Sequence, residues 1–157
     1  MSGLEPGDRA PAFSVYVGAR RISYPESFSG KVLVVTYETK DVIEKNRPFK
    51  NRMLGFCASP MNASGVAVAF PVIDCSGYIG PIKSYCADQV QKFSKKEQLQ
   101  LYTDRDGHMR HAFGMKDHES NILIIDQQGI VRYRHAGTIT DAEGDRIIEL
   151  IRQLLKQ

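Results

Sequence analysis

Three cysteines and a group of histidines are the side chains in this sequence best suited to chemistry. Cys57, Cys75 and Cys86 supply thiols; the thiolate is the form that attacks disulfides, binds metals and oxidises. An odd number allows at most one internal disulfide and leaves one thiol free. Cys75 and Cys86 are separated by "SGYIGPIKSY", and a disulfide closing that loop is conceivable, although spacing in sequence does not set the distance between two Cα atoms. The plainer expectation is that both are unpaired, Cys75 capping a strand and Cys86 packing as a small core residue, because free cysteine is commonly buried. Cys57 follows Met53 and Phe56 along one helix face and is expected in the core. His108, His111 and His118 raise the question of a metal, with His135 distant on a strand. Such sites need three or four ligands and a second layer of hydrogen bonds. No carboxylate or cysteine stands at a ligating spacing, so a surface cluster and no metal are expected. "DRDG" (Asp104–Gly107) has part of a calcium loop but lacks its third acidic position and terminal glutamate, and reads as a turn. No cofactor is implied.

These residues must be held by elements legible in the hydrophobic pattern. Gly3 to Phe13 reads as an irregular lead-in, since Pro6 and Pro11 oppose helix. "KVLVVTY" (Lys31–Tyr37) is a β-branched apolar run, the pattern of a buried central strand. Asp41 three residues before Glu44 suggests a helix start, with Phe49, Met53 and Phe56 on its apolar face and Pro48 kinking it. "VAVAFPVI" (Val66–Ile73) is a second apolar strand. Pro81 opens a helix in which Ile82, Tyr85, Cys86, Val90 and Phe93 recur at helical spacing. "NILIID" and "IVRYRHA" flank "QQG", a hairpin turning at Gly129. Thr140 and Glu143 form a capping box for a last helix whose stripe is Ile147, Leu150, Ile151, Leu154 and Leu155. Strand, helix, strand, helix, hairpin, helix is an α/β order with a partly parallel sheet.

Composition narrows the function classes. A chain of 157 residues, 42% hydrophobic and 25% charged, fits a single domain spanning 1–157; a domain of this size buries roughly 70% of its unfolded surface and needs no metal or disulfide to hold it. With 21 basic and 18 acidic residues spread along the chain, the net charge is only +3, which argues against a nucleic-acid partner. No apolar run reaches the length of a membrane-spanning helix, so no membrane association is expected. "MSGLEPGDRAPAF" has no basic region followed by an apolar stretch, so no signal peptide is visible. If Met1 is native, the expected location is cytoplasmic.

The order of elements and four local patterns resemble the thioredoxin-like superfamily, in its redoxin branch of peroxiredoxin-like and TlpA/ResA-like proteins. "GDRAPAF" (Gly7–Phe13) is similar to that family's opening motif. "FSGKVLVVTY" (Phe28–Tyr37) resembles the Gly-Lys step into the strand before the active site. "AFGM" and "NILIIDQQGIV" resemble the late Phe-Gly step and the hairpin with its Asp-x-x-Gly turn. The tail "LYTDRDGHMRHAFGM" through "GTITDAEGDRIIELIRQLL", with "VIDCSGYIGPIKSY", looks most like the YtfJ-type bacterial proteins. The resemblance implies a thioredoxin-like fold, with a central mixed β-sheet flanked by helices. Those relatives are generally exported, which makes a periplasmic location with the leader removed the alternative.

The resemblance also shows what is missing. A Cys-x-x-Cys pair would fall near Lys40 or Val42, where a helix N-terminus lowers thiol pKa, and no cysteine is there. The family's cis-proline would fall at Ser120 or Asn121; a trans peptide is expected instead, since a cis bond without proline costs about 3 kcal/mol. The expected function is therefore a degenerate member that binds an unidentified protein or small-molecule partner at the vacated end of the sheet. Lys40, Asp41, Glu119 and Asn121 would line that end, although Asp41 could simply cap a helix. The alternative is a thiol-dependent oxidoreductase or redox sensor using Cys75, with Cys86 as resolving thiol. It rests on the strand ending at Cys75 emerging beside the vacant turn.

Overall fold

The structure, a computed structural model, describes residues 4–157. Met1 and Gly3 lie outside the described residues. A seven-stranded mixed sheet forms the middle, in the order β2-β1-β5-β4-β3-β6-β7. The strands are β1 (Phe13–Val17), β2 (Arg20–Tyr24), β3 (Val32–Glu38), β4 (Ala67–Asp74), β5 (Tyr102–Asp104), β6 (Asn121–Ile125) and β7 (Val131–Ala136). The helices are α1 (Arg47–Cys57), α2 (Pro81–Glu97), α3 (His108–Phe113) and α4 (Asp141–Leu155). β3 and β4 are adjacent and parallel, with Val32 opposite Ala67 and Glu38 opposite Ile73. β6 runs antiparallel beside β3 and pairs with β7, while β5 lies parallel to β4. The expected α/β architecture is the observed one.

β3 is buried along its full length, as its unbroken apolar run requires of a strand covered on both faces. Alternation divides its side chains. Leu33, Val35 and Tyr37 join one core with Phe70, Val72, Met109 and Phe113. Val32 and Val34 join the other, with Phe49 and Met53 of α1 and Ile147, Ile151 and Leu154 of α4. Glu38 continues the even-numbered set, so parity aims a carboxylate towards α1.

Several boundaries differ from expectation. α1 begins at Arg47, after Asn46 in the left-handed region at φ 62°. Pro48 therefore sits in the first turn, where it lacks no hydrogen bond, and does not kink a longer helix. Asp41 caps nothing: it lies in a one-turn 3-10 segment, Lys40–Val42, without a side-chain cap. Ile82 and Tyr85 are 58% and 61% exposed, so only part of the helical stripe on α2 faces inward. The hairpin β1–β2, the short β5 and α3 were not expected. Thr140 accepts from the Glu143 amide as predicted, while the Glu143 carboxylate accepts from Tyr133 and does not return to the cap. The cis bond among the described residues is Tyr24–Pro25, so the peptides at Ser120 and Asn121 are trans. Among the described residues no helix is long and apolar enough to cross a membrane.

Candidate functional site at the head of the parallel strands

The C-terminal ends of β3 and β4 open towards the turn that carries Lys40 and Asp41. Its floor is ionic. Lys50, from the first full turn of α1, donates to both carboxylate oxygens of Glu38 at 2.7 and 2.9 Å. It also donates to the Ile43 carbonyl at 2.6 Å. Ser120 Oγ donates to Glu38 Oε2 at 2.6 Å and accepts from Asn46 Nδ2 at 3.1 Å. Glu38 and Lys50 are only 3% and 7% exposed. Burial pushes the Glu38 carboxyl above the usual range, against the opposing pull of the Lys50 hydrogen bonds. The left-handed Asn46 ties this cluster to the far loop, donating to the Gly137 carbonyl and accepting from the Ile139 amide. A buried polar knot thus underlies the exposed turn where a reactive pair would sit.

The predicted site residues divide into three groups. Asp41 and Glu119 do lie near the vacated turn. Asp41 is exposed and 3.2 Å from His118 Nδ1, and Glu119 accepts from Lys45 at 2.7 Å, which holds its carboxyl below the usual range. Asn121 belongs to the framework. It is 4% exposed, and its amide donates to the carbonyls of Tyr37, Lys116 and Glu119. It is not free to meet a ligand, a correction with a simple cause: backbone carbonyls of β3 and of the preceding loop take up the donors of its amide. Lys40 is exposed and lines a cavity on the α2 side.

Cys75 and Cys86 are joined by a disulfide with Cα atoms 6.0 Å apart, well within the usual span. The expectation that both would be unpaired is overturned. Cys75 directly follows β4, and its amide donates to the Asp104 carbonyl at 3.0 Å. Cys86, on the inward side of α2, returns to the same spot once Gly80 turns the chain at φ 57°. Cys75 is fully buried and Cys86 is 2% exposed, so Cys75 is not the partly exposed thiol a sensor would require. Beside it, Asp74 accepts from the Ser76 amide and from Arg110. Tyr37 donates to Asp104 at 2.7 Å, and burial followed by that carboxylate pushes its phenol far up. The stapled loop presents Tyr78, Ile79, Ile82 and Tyr85 to solvent.

Cys57 is the free thiol, half-buried against the α1–α4 core, with its pKa pushed by burial up to about 11. Iodoacetamide at neutral pH is expected to leave the folded protein unmodified. After denaturation without reductant one adduct per chain should appear by mass spectrometry, and with reductant three. Three adducts without reductant would mean that Cys75 and Cys86 are not joined. His108, His111 and His118 are exposed, and among the described residues no group of three or more potential ligands could hold a metal.

Two groupings of residues escaped the sequence reading. Glu38–Lys50–Ser120 had a signal, a charged residue closing an apolar strand and a lysine between Phe49 and Met53 on a buried helix face. Lys92 and Lys96, which line the same cavity as Lys40, also had one: Gln89, Lys92, Phe93 and Lys96 repeat at helical spacing.

Comparison with solved structures defines the class. The fold matches a crystal structure from Chlorobium tepidum described as a thiol:disulfide interchange protein DsbE. The TM-score is 0.69 at 19% identity, covering 97% of this chain and 99% of that one. It also matches the thioredoxin domain of a thiol-disulfide oxidoreductase from Bacteroides vulgatus, with TM-score 0.62 at 14% identity and 94% and 99% coverage. A third match is the pneumococcal exposed lipoprotein thioredoxin Etrx1 from Streptococcus pneumoniae, with TM-score 0.63 at 14% identity and 92% and 100% coverage. The fold is thioredoxin-like. Within that class, residues 74–154 match the family described as bacterial protein of unknown function (YtfJ_HI0045), and the chain belongs to this family. No curated protein matches it.

Proposed function

We propose that this protein is a binding member of the thioredoxin-like class, engaging a protein or small-molecule partner at the head of β3 and β4 without exchanging disulfides. The observation that carries this reading is where the sulfur lies. The Lys40–Val42 turn holds none, and the one disulfide is buried at both ends. Thiol exchange needs a thiolate in line with an accessible sulfur. The disulfide also supports residence in an oxidising compartment, such as the periplasm of an exported relative, because cytosolic thiols are kept reduced. Around the vacated turn, the half-open cavity beside Lys40 and the exposed apolar side chains of the stapled loop supply surfaces for a partner.

The second reading, a thiol oxidoreductase working through Cys75 and Cys86, draws on the pairing itself. Insulin reduction driven by dithiothreitol separates the two. The binding reading expects the uncatalysed rate, and a Cys75–Cys86 bond that resists dithiothreitol until the protein is unfolded. Turnover above background that disappears in Cys75→Ala would overturn it in favour of the redox enzyme.

A further inference from the structure

The cavity on the α2 side of the vacated turn has a defined chemistry. Lys40 and Ile43 form one wall, Ile73 and Leu101 the sheet side, and Gln89, Val90, Lys92, Phe93 and Lys96 the helix side. Its volume is about 360 Å³, roughly a dozen waters at ~30 Å³ each, within the range of small-ligand sites. The interior is apolar: Ile73, Val90 and Leu101 are 3–4% exposed, and Ile43 and Phe93 pack against the cluster they share with the disulfide. Lys40, Lys92 and Lys96 are exposed. Among the described residues, none of the three is within ion-pair distance of a carboxylate, whereas Lys45, Lys50 and Lys83 each are. Lys92 and Lys96 are one helical turn apart, so both ammonium groups project along the same side of α2. The disulfide fixes α2 to the end of β4, which keeps this wall in place without a ligand.

We infer that this cavity binds an amphipathic carboxylate of roughly ten to twelve non-hydrogen atoms, its apolar body against Ile73, Val90, Phe93 and Leu101 and its head among Lys40, Lys92 and Lys96. Unpaired positive charge in front of an apolar hollow disfavours a cationic or strongly polar occupant. A neutral hydrocarbon would fill the hollow but leave the charges unanswered. Lysine ammonium groups act as mobile point charges and set no planar geometry, so selectivity comes from charge with length. This inference rests on the binding reading above and names its ligand class.

The test is titration of the isotopically labelled, oxidised full chain by NMR with decanoate, decanol and acetate. Decanoate is expected to shift the resonances of Ile43, Ile73, Val90, Phe93 and Leu101 saturably. Decanol and acetate should each bind at least tenfold more weakly. The variant Lys92→Gln/Lys96→Gln, on the exposed side of α2, should keep the wild-type spectrum outside the cavity and lose at least tenfold in decanoate affinity. No saturable shift, shifts centred elsewhere, decanol binding as tightly as decanoate, or undiminished binding by the variant would each overturn the inference. None of these results bears on the thiol assay, so an empty cavity in a protein inactive on insulin would sink the ligand class and leave the binding reading standing.

Discussion

Lys50→Met is expected to destabilise the protein by about 3–5 kcal/mol, a fall in melting temperature of roughly 6–20 °C for a domain of this size. The cause is the carboxylate left behind. Glu38 is 3% exposed and has Lys50 as its ion-pair partner, so the variant must bury an unpaired charge or protonate it. Ser120 would still donate to Glu38, but one neutral hydrogen bond does not replace a bidentate ammonium. Adding Glu38→Gln should recover most of the loss. A glutamine keeps an acceptor for Ser120 and offers an amide towards the Ile43 carbonyl that Lys50 had satisfied. Chemical denaturation of the wild type, both single variants and the double variant measures this directly. A single variant within about 1 kcal/mol of wild type would show that water reaches the pair and that the knot is not a dry floor.

The pH dependence has a definite sign. The folded-state pKa of Glu38 is raised by burial, so its favourable contribution is fully present below the unfolded value of 4.5 and is lost as pH rises through the folded value. Removing Lys50 removes the principal opposing influence and widens that window. The deficit of Lys50→Met relative to wild type should therefore shrink as the pH is lowered towards 5 and be largest above neutrality.

What the sequence disclosed follows from how each element is stabilised. β3 and β4 were legible because strands covered on both faces must be apolar throughout, and α4 because its inward stripe and Thr140 cap agree. β1, "FSVYV", and β2, "RRISY", lie at one side of the sheet, with Arg20 and Arg21 exposed and Ser14 and Ser23 half-buried, so no apolar run announces them. β5 has three residues and α3 six, too few for any period to show. The start of α1 was misplaced because Asp41 and Glu44 mimic a capping box, whereas the decisive residue was Pro48, which favours the first turn of a helix. On α2, periodicity grouped Ile82 with Cys86 and Val90; it marks a face but not how far along the helix a neighbour extends. The site divides in the same way. The absence of a cysteine pair at Lys40–Val42 could be read directly, and so could the proximity of Glu119. The pairing of Cys75 with Cys86 and the burial of Asn121 could not, because both depend on distances that only the tertiary structure sets.

Cys75→Ala/Cys86→Ala is expected to lower stability by about 3 kcal/mol, the chain-entropy value for a closed loop of this length, or roughly 6–12 °C in melting temperature. Among the described residues the segment it closes holds four of the five exposed large hydrophobics, with Ile79 80% exposed and Tyr78, Ile82 and Tyr85 also open to solvent. Such a segment gains little from burial and is held by its ends. Alanine suits both sites, since the two sulfurs lie in an apolar cluster with Ile73, Val90 and Leu101, where a serine hydroxyl would add an unsatisfied polar atom. The loss should be read in hydrogen exchange as faster exchange across residues 76–86, while β3, β6 and α4 keep most of their protection, because the cores they share with α1 and α3 do not include the disulfide. The variant separates a staple from an active centre. A staple predicts a stability deficit together with unchanged thiol chemistry, both proteins being inert towards insulin. If the variant were as stable as wild type, with unaltered exchange in the loop, the bond would have no structural role, and its burial beside the vacated turn would need an explanation in redox chemistry.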